Sequence, residues 1–73
     1  MPSSTVLVYY GDGSPARHTR VVLGFSGGMT QPGYTDDRGA AQIDHVGTGT
    51  ATVYVDGSAR GTFHAPGRTT VTL

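Results

Sequence analysis

The stretch TDDRGAAQIDHVGTGTATVYVDG, at residues 35–57, decides the fold of this chain. A tight turn, an alternating strand, a glycine corner and a second alternating strand follow one another in it at close spacing. Successive side chains of a strand point to opposite faces, so this period-two pattern predicts two half-buried strands. The residues expected to face the core are Ala41, Ile43, Ala51, Val53 and Val55. Residues 35–57 therefore indicate a β-sandwich.

Glycine and proline divide the rest of the chain in the same way. The 12 glycines and 4 prolines leave no stretch long enough for an ordinary helix, and the segments between them are rich in valine, threonine and tyrosine, which favour strands. Strands are predicted at residues 5–10, 17–25, 41–46, 50–55, 59–64 and 69–73, with residues 26–34 a flexible crossing segment that holds at most a very short strand. We therefore predict one all-β domain at residues 1–73 with six or seven strands.

Alternation within these strands also predicts the rest of the core. Further inward positions are Thr19, Val21, Leu23, Phe25, Val71 and Leu73, with Val46 closing the strand that begins near Ala41. In the first strand Val6, Val8 and Tyr10 share one face and Leu7 and Tyr9 the other, and because both faces are fairly apolar we expect contact on both sides. Because Ala41 and Ala51 are small, we expect the core to be shallower, or to be filled by Phe25, Phe63 and Tyr10.

The amino-acid composition bears on which partners and which cellular locations are expected. The formal net charge is zero, so no long-range field attracts nucleic acid, and we expect no nucleic-acid partner. No apolar run approaches a membrane span or a signal-peptide core, so we expect a soluble chain without membrane insertion. Cysteine is absent, which leaves secreted and cytoplasmic locations open. A domain of 73 residues buries only about 60% of its unfolded surface, which favours dependence on a partner.

The residues with catalytic or ligating chemistry do not form a motif. His18, His45 and His64 are far apart in sequence, match no zinc spacing and are expected to be solvated or to contact a partner. The aspartates, including Asp12 and Asp36, lie at turn positions where local hydrogen bonding explains them. No nucleophile elbow surrounds any serine. The sequence therefore predicts no enzyme activity, no cofactor and no metal site.

A family resemblance follows from the spacing of turns and strands. Its residues are Gly13 with Pro15, then Val21, Leu23 and Phe25, then Thr35, Asp36 and Gly39, then Ala41, Ile43, Val46 and Gly49, then Ala51, Val53 and Val55. This pattern resembles the transthyretin-like (prealbumin-like) sandwich of carboxypeptidase regulatory-like and collagen-adhesin B-type domains. The resemblance covers nearly the full chain and implies an antiparallel Greek-key β-sandwich.

Two departures limit what the resemblance implies about function. Collagen-adhesin domains often form an amide bond from lysine, and this chain has no lysine, so no isopeptide crosslink is expected. The hydroxyisourate-hydrolysing branch of the transthyretin group carries its own histidine, arginine and serine motifs, and no segment here matches them. The resemblance therefore favours a noncatalytic module.

The outward residues of the predicted strands give the best lead to function. Tyrosine and arginine are enriched at protein interfaces, and the candidate protein-interaction residues are Tyr9, His18, Arg20, Val22 and Tyr54. Scattered exposed side chains are the alternative interpretation. The strand at residues 69–73 also ends the chain without a lysine, glutamate or proline to block edge pairing.

We therefore expect a noncatalytic accessory module that mediates protein–protein contact within a larger protein or complex. The alternative is a self-assembling structural subunit, such as a phage or surface-assembly component. An enzyme or a metal-binding protein is disfavoured.

Overall fold

Residues 2–73, the part of the chain that this computed structural model describes, contain eight β-strands and no helix. The strands are β1 (Ser3–Tyr9), β2 (Arg20–Phe25), β3 (Gly28–Met29), β4 (Gly33–Tyr34), β5 (Ala40–Asp44), β6 (Gly49–Val55), β7 (Ser58–Ala65) and β8 (Arg68–Thr72). The all-β prediction is confirmed. The number of strands exceeds the predicted six or seven because the crossing segment at residues 26–34 contains two strands of two residues each, β3 and β4.

The strands form two mostly antiparallel sheets. One sheet has three strands in the order β5-β1-β8, and the other has five, with β3 and β4 both pairing β2, followed by β6 and β7. The prediction of an entirely antiparallel sheet is wrong for one pair, because β1 and β8 run parallel from Thr5↔Arg68 to Tyr9↔Thr72. The arrangement is consistent with a β-sandwich.

The core lies between the two sheets. Val6, Val8, Ala41, Ile43 and Val71 come from the three-stranded sheet, and Val21, Leu23, Val53 and Val55 come from the five-stranded sheet. All of these except Val6 and Val8 were predicted to face inward; those two were predicted only to share one face of their strand, and Ala51 is buried as predicted. Phe25, Phe63 and Leu73 are partly buried against this cluster. Small aliphatic side chains thus supply most of the interior.

Two residues that were predicted to fill the core are exposed instead. Tyr10 is 47% exposed because β1 ends at Tyr9 and the chain turns, with the Gly13 N–H donating to the Tyr10 carbonyl. Val46 is 83% exposed because β5 ends at Asp44 and strict alternation after Ile43 directs His45 inward, where it is buried.

The predicted strand at residues 17–25 begins only at Arg20. His18 has a φ of 54°, in the left-handed region, so the extended conformation is broken there. Thr35 holds this segment in place: its hydroxyl accepts the Thr19 N–H at 2.8 Å and donates to the Ala16 carbonyl at 2.6 Å. Residues 16–19 therefore form a fixed loop that leads into β2.

Local chemistry explains the turn at the start of residues 35–57. The Asp36 carboxylate accepts the N–H groups of Arg38 at 2.8 Å and Ala40 at 3.1 Å, as expected of an aspartate in a turn. Gly39 has a φ of 79°, and a Cβ there would lie 2.5 Å from the Val8 carbonyl oxygen. Only glycine fits this position, and its carbonyl in turn accepts the Val8 N–H.

No helix in residues 2–73 is long and apolar enough to cross a membrane.

Candidate protein-docking surfaces

The outer surface of the five-stranded sheet brings together three of the five predicted interaction residues. Val21 and Leu23 are fully buried, so the alternate residues Arg20 and Val22 point to the opposite side of β2. Val22 pairs with Tyr54 of β6. Arg20 pairs with Tyr34 of β4. Since paired residues point to the same side of a sheet, Arg20, Tyr34 and Tyr54 form one surface around Val22, which we name the docking face.

Val22 itself is only 6% exposed, so its prediction as an exposed contact residue is wrong. The Tyr54 ring extends across the strand pair onto β2, where a Cβ added to Gly24 would lie 2.7 Å from the Tyr54 Cε2 atom. The tyrosine thus fills space that a side chain at Gly24 would need, and Val22 beside it is covered. Val22 pairs with Tyr54 but is buried, so it does not form part of the exposed surface of the docking face.

The other two predicted interaction residues lie elsewhere. Tyr9 is on β1 of the three-stranded sheet, where its neighbour Val8 is fully buried and Tyr9 points outward beside Thr72. His18 lies in the loop before β2 with its side chain 81% exposed and its Nε2 atom 3.7 Å from the Asp37 Oδ1 atom. The structure therefore does not gather the five predicted residues into one patch.

Tyr34 is the residue of the docking face that the sequence did not reveal. It is 62% exposed and lies in the segment that was predicted to be a flexible crossing. The available signal was Tyr34 itself, because tyrosine is a residue type that favours strands. Its pairing with Arg20 depends on how the chain folds back onto β2 and could not be obtained from local pattern alone.

The histidines behave differently from one another. His18 and His64 are exposed, but His45 is only 5% exposed, so its prediction as a solvated or partner-contacting residue is wrong. Among residues 2–73, no group of three or more histidine, cysteine, aspartate or glutamate side chains is placed to hold a metal ion.

Both ring nitrogens of His45 are hydrogen-bonded. Its Nδ1 lies 2.7 Å from the Gly47 carbonyl oxygen, which can only accept, so Nδ1 carries a proton. Its Nε2 lies 2.8 Å from the Ser4 hydroxyl, and that hydroxyl already accepts the Gly67 N–H at 3.2 Å. In the neutral ring Nε2 then carries no proton, so the Ser4 hydroxyl donates to it. This chain of bonds joins the start of β1, the loop after β5 and the turn before β8.

The Ser4–His45 pair has the donor order of a hydrolytic serine–histidine dyad, but not its accessibility. Ser4 is 1% exposed, so a substrate carbonyl could not reach its oxygen. The acceptor that orients His45 is a backbone carbonyl within the same loop. The geometry fits a structural connection between three segments of the chain.

An open groove lies at one end of the molecule, next to His45. It has a volume of about 490 Å³ and lies between the turn that joins β2 to β3 and the loop that joins β5 to β6. Phe25 lines it, with Met29 on one side and Val46 on the other, and these two apolar side chains are 63% and 83% exposed. The sequence pattern did not indicate this groove, because Met29 lies in the predicted crossing segment and Val46 was expected to close a strand of the core.

The acidic side chains of the turns are used locally. The pKa of Asp36 is lowered chiefly by the Ala40 N–H, then by the Arg38 N–H. The pKa of Asp12 is lowered by the hydroxyl and then the N–H of Ser14, both of which donate to its carboxylate. These carboxylates stabilise turns, as predicted for aspartates at such positions.

Comparison with known proteins gives a fold relationship only. No protein-family model matches the chain, and no curated protein matches it. A solved structure described as the Bacillus anthracis TIE protein is similar, with a TM-score of 0.66 and 12% sequence identity over 99% of this chain. The chain spans only 16% of the length of that protein. At this identity the similarity shows a shared fold, in which the equivalent unit is one part of a longer chain.

Proposed function

We propose that this chain is a noncatalytic β-sandwich module that contacts another protein through the docking face, within a larger protein or complex. One observation carries the proposal: Arg20, Tyr34 and Tyr54 lie on the same side of one sheet, next to the buried Val22 in the strand pairing. Tyrosine and arginine are the residue types that most often dominate binding energy at interfaces. A sheet holds them in place before a partner arrives, which lowers the entropic cost of association.

We further propose that the fold is of the transthyretin-like Greek-key type. The geometry at Asp36 and Gly39 supports this, since both residues take the turn roles on which the resemblance rests. The pairing of β2 with β6 supports it as well.

The docking face can be tested by affinity capture with matched variants. Purified wild-type chain is immobilised beside Arg20→Ala, Tyr34→Ala and Tyr9→Ala variants and exposed to an extract of the source cells. Tyr9 is the control, because it lies on the other sheet. We expect a partner retained by the wild type and by Tyr9→Ala, with binding about 30-fold weaker for Tyr34→Ala, as expected for a hot-spot loss of about 2 kcal/mol. Equal loss in all three variants would contradict the proposal.

Self-assembly is the second candidate, and the sheet edges favour it. β8 lies at the edge of the three-stranded sheet, as predicted, and β7 lies at the edge of the five-stranded sheet. Neither strand contains lysine, glutamate or proline, the residues that commonly block edge pairing. Sedimentation of the wild type against Thr70→Lys in β8 separates the two candidates. A concentration-dependent oligomer that the lysine abolishes would favour self-assembly, and a monomer in both cases would favour the docking module.

A further inference from the structure

The groove beside His45 has features of a binding site that are independent of the docking face. The rings of Phe25 and His45 lie with their centroids 5.1 Å apart, so the groove has an aromatic base. Gly47 allows the loop after β5 to approach this base closely, because a Cβ there would lie 3.0 Å from the Phe25 Cγ atom. Met29 and Val46 remain largely exposed on either side of this base. The groove volume of about 490 Å³ leaves room for a bulky apolar side chain beside them.

The charge of the groove is negative and local. Among the described residues that line it, Asp44 alone carries a formal charge. The chain as a whole has a net charge of zero, so no global field opposes or replaces the effect of Asp44. A ligand that places a cation beside its apolar group is therefore complementary to this groove.

We propose that the groove binds a segment of a protein partner in which a bulky apolar residue adjoins an arginine or lysine. The apolar side chain packs on Phe25 between Met29 and Val46, and the basic side chain pairs with Asp44. A protein segment fits better than a free small molecule, because small-molecule sites enclose about 70–90% of the ligand surface and this groove is only partly enclosed. The flexible thioether of Met29 can adapt to different apolar side chains.

The proposal does not rest on the docking face, and the test separates the two surfaces. The probes are three capped dipeptides: N-acetyl-leucyl-arginine amide, N-acetyl-leucyl-glutamate amide and N-acetyl-glycyl-arginine amide. Binding to the ¹⁵N-labelled chain is followed by NMR, where the backbone amides of Gly27, Gly28 and Gly47 report on the groove and those of Arg20, Tyr34 and Tyr54 report on the docking face.

We expect the leucyl-arginine probe to shift the three glycine amides with a dissociation constant of about 1–10 mM, as befits so small a ligand. The leucyl-glutamate probe should bind about fivefold more weakly, because an exposed ion pair contributes up to about 1 kcal/mol. The glycyl-arginine probe should cause no saturable shift.

Two variants, at Asp44 and at Asp37, test the role of Asp44 without disturbing the fold, since both of these side chains are exposed. Asp44→Asn should remove the preference for arginine over glutamate and keep the binding of leucine. Asp37→Asn, a matched change away from the groove, should leave the preference intact. The proposal is overturned if the two leucyl probes bind equally to the wild type, if Asp44→Asn retains the preference, or if no probe shifts the groove glycines. Shifts confined to Arg20, Tyr34 and Tyr54 would overturn it and leave the docking face standing.

Discussion

Replacing Ser4 by alanine tests the hydrogen-bonded connection that holds three segments of the chain together. Ser4 is 1% exposed, and its hydroxyl donates to the His45 Nε2 atom at 2.8 Å and accepts the Gly67 N–H at 3.2 Å. Alanine removes the hydroxyl, so a buried acceptor and a partly buried donor both lose their partner. Each unsatisfied group costs about 1–3 kcal/mol, so the two together give an expected loss of about 2–6 kcal/mol in the free energy of unfolding.

This loss is large for so small a domain. At about 0.05–0.15 kcal/mol per residue, a chain of 73 residues has a free energy of unfolding of about 4–11 kcal/mol. Urea titration followed by circular dichroism measures the change, and with a slope of about 1 kcal/mol per molar urea the midpoint should fall by about 2 M or more.

Ser3 provides the matched control, because it is the adjacent residue of β1 and points to the other side of the sheet. Its hydroxyl accepts only the Gln42 side-chain amide, at 3.3 Å on the exposed surface. Ser3→Ala should therefore change the free energy of unfolding by less than about 0.5 kcal/mol. If the two alanine variants unfold within about 0.5 kcal/mol of each other, the Ser4–His45 connection does not stabilise the fold and the reasoning fails.

Three further perturbations test other parts of the structure. Leu23→Ala, at the largest fully buried side chain, should cost about 3 kcal/mol in the same urea titration, whereas Val46→Ala, at an exposed valine, should cost less than about 0.5 kcal/mol. Gly39→Ala should cost about 2 kcal/mol or more, measured by thermal unfolding, because its φ is 79° and the new Cβ would lie 2.5 Å from a carbonyl oxygen. The folded-state pKa of Asp36 lies below its ordinary value of 3.8, so its stabilising effect is present above pH 3.8 and lost as the pH falls through the folded value. Asp36→Asn should therefore lower the melting temperature more at neutral pH than under acid conditions below pH 3.8, where the carboxylate begins to protonate, and an equal deficit at both would contradict this account.

The strands could be predicted from the sequence wherever one face of a strand is buried. Val21 and Leu23 on β2, and Val53 and Val55 on β6, follow strict alternation, and the structure buries all four. The same rule, applied strictly, would also have placed His45 inward after Ile43. Val46 was expected to face inward because valine is the more hydrophobic residue. The structure buries His45 there, and hydrogen bonds to both of its ring nitrogens offset the cost of burying a polar side chain.

The surfaces were less predictable, because they depend on which strands become neighbours. Tyr9 and Tyr54 are both outward residues, but β1 and β6 belong to different sheets. The pairing of Tyr34 with Arg20, and the parallel pairing of β1 with β8, join residues that are distant in sequence or lack a turn between them. The local sequence pattern carries no information on such pairings. It therefore indicated that tyrosine and arginine would form an interaction surface, but not which of these residues lie together on the docking face.

The parallel pairing of β1 with β8 has a mechanical consequence. Chain entry at the start of β1 and chain exit at the end of β8 lie at opposite ends of the three-stranded sheet, across the five register pairs that run from Thr5↔Arg68 to Tyr9↔Thr72. Tension applied through both termini would pull these strands past each other along their length. All the hydrogen bonds between β1 and β8 would then bear the force at the same time. The strand pair would therefore be loaded in shear, and its hydrogen bonds would not break one after another.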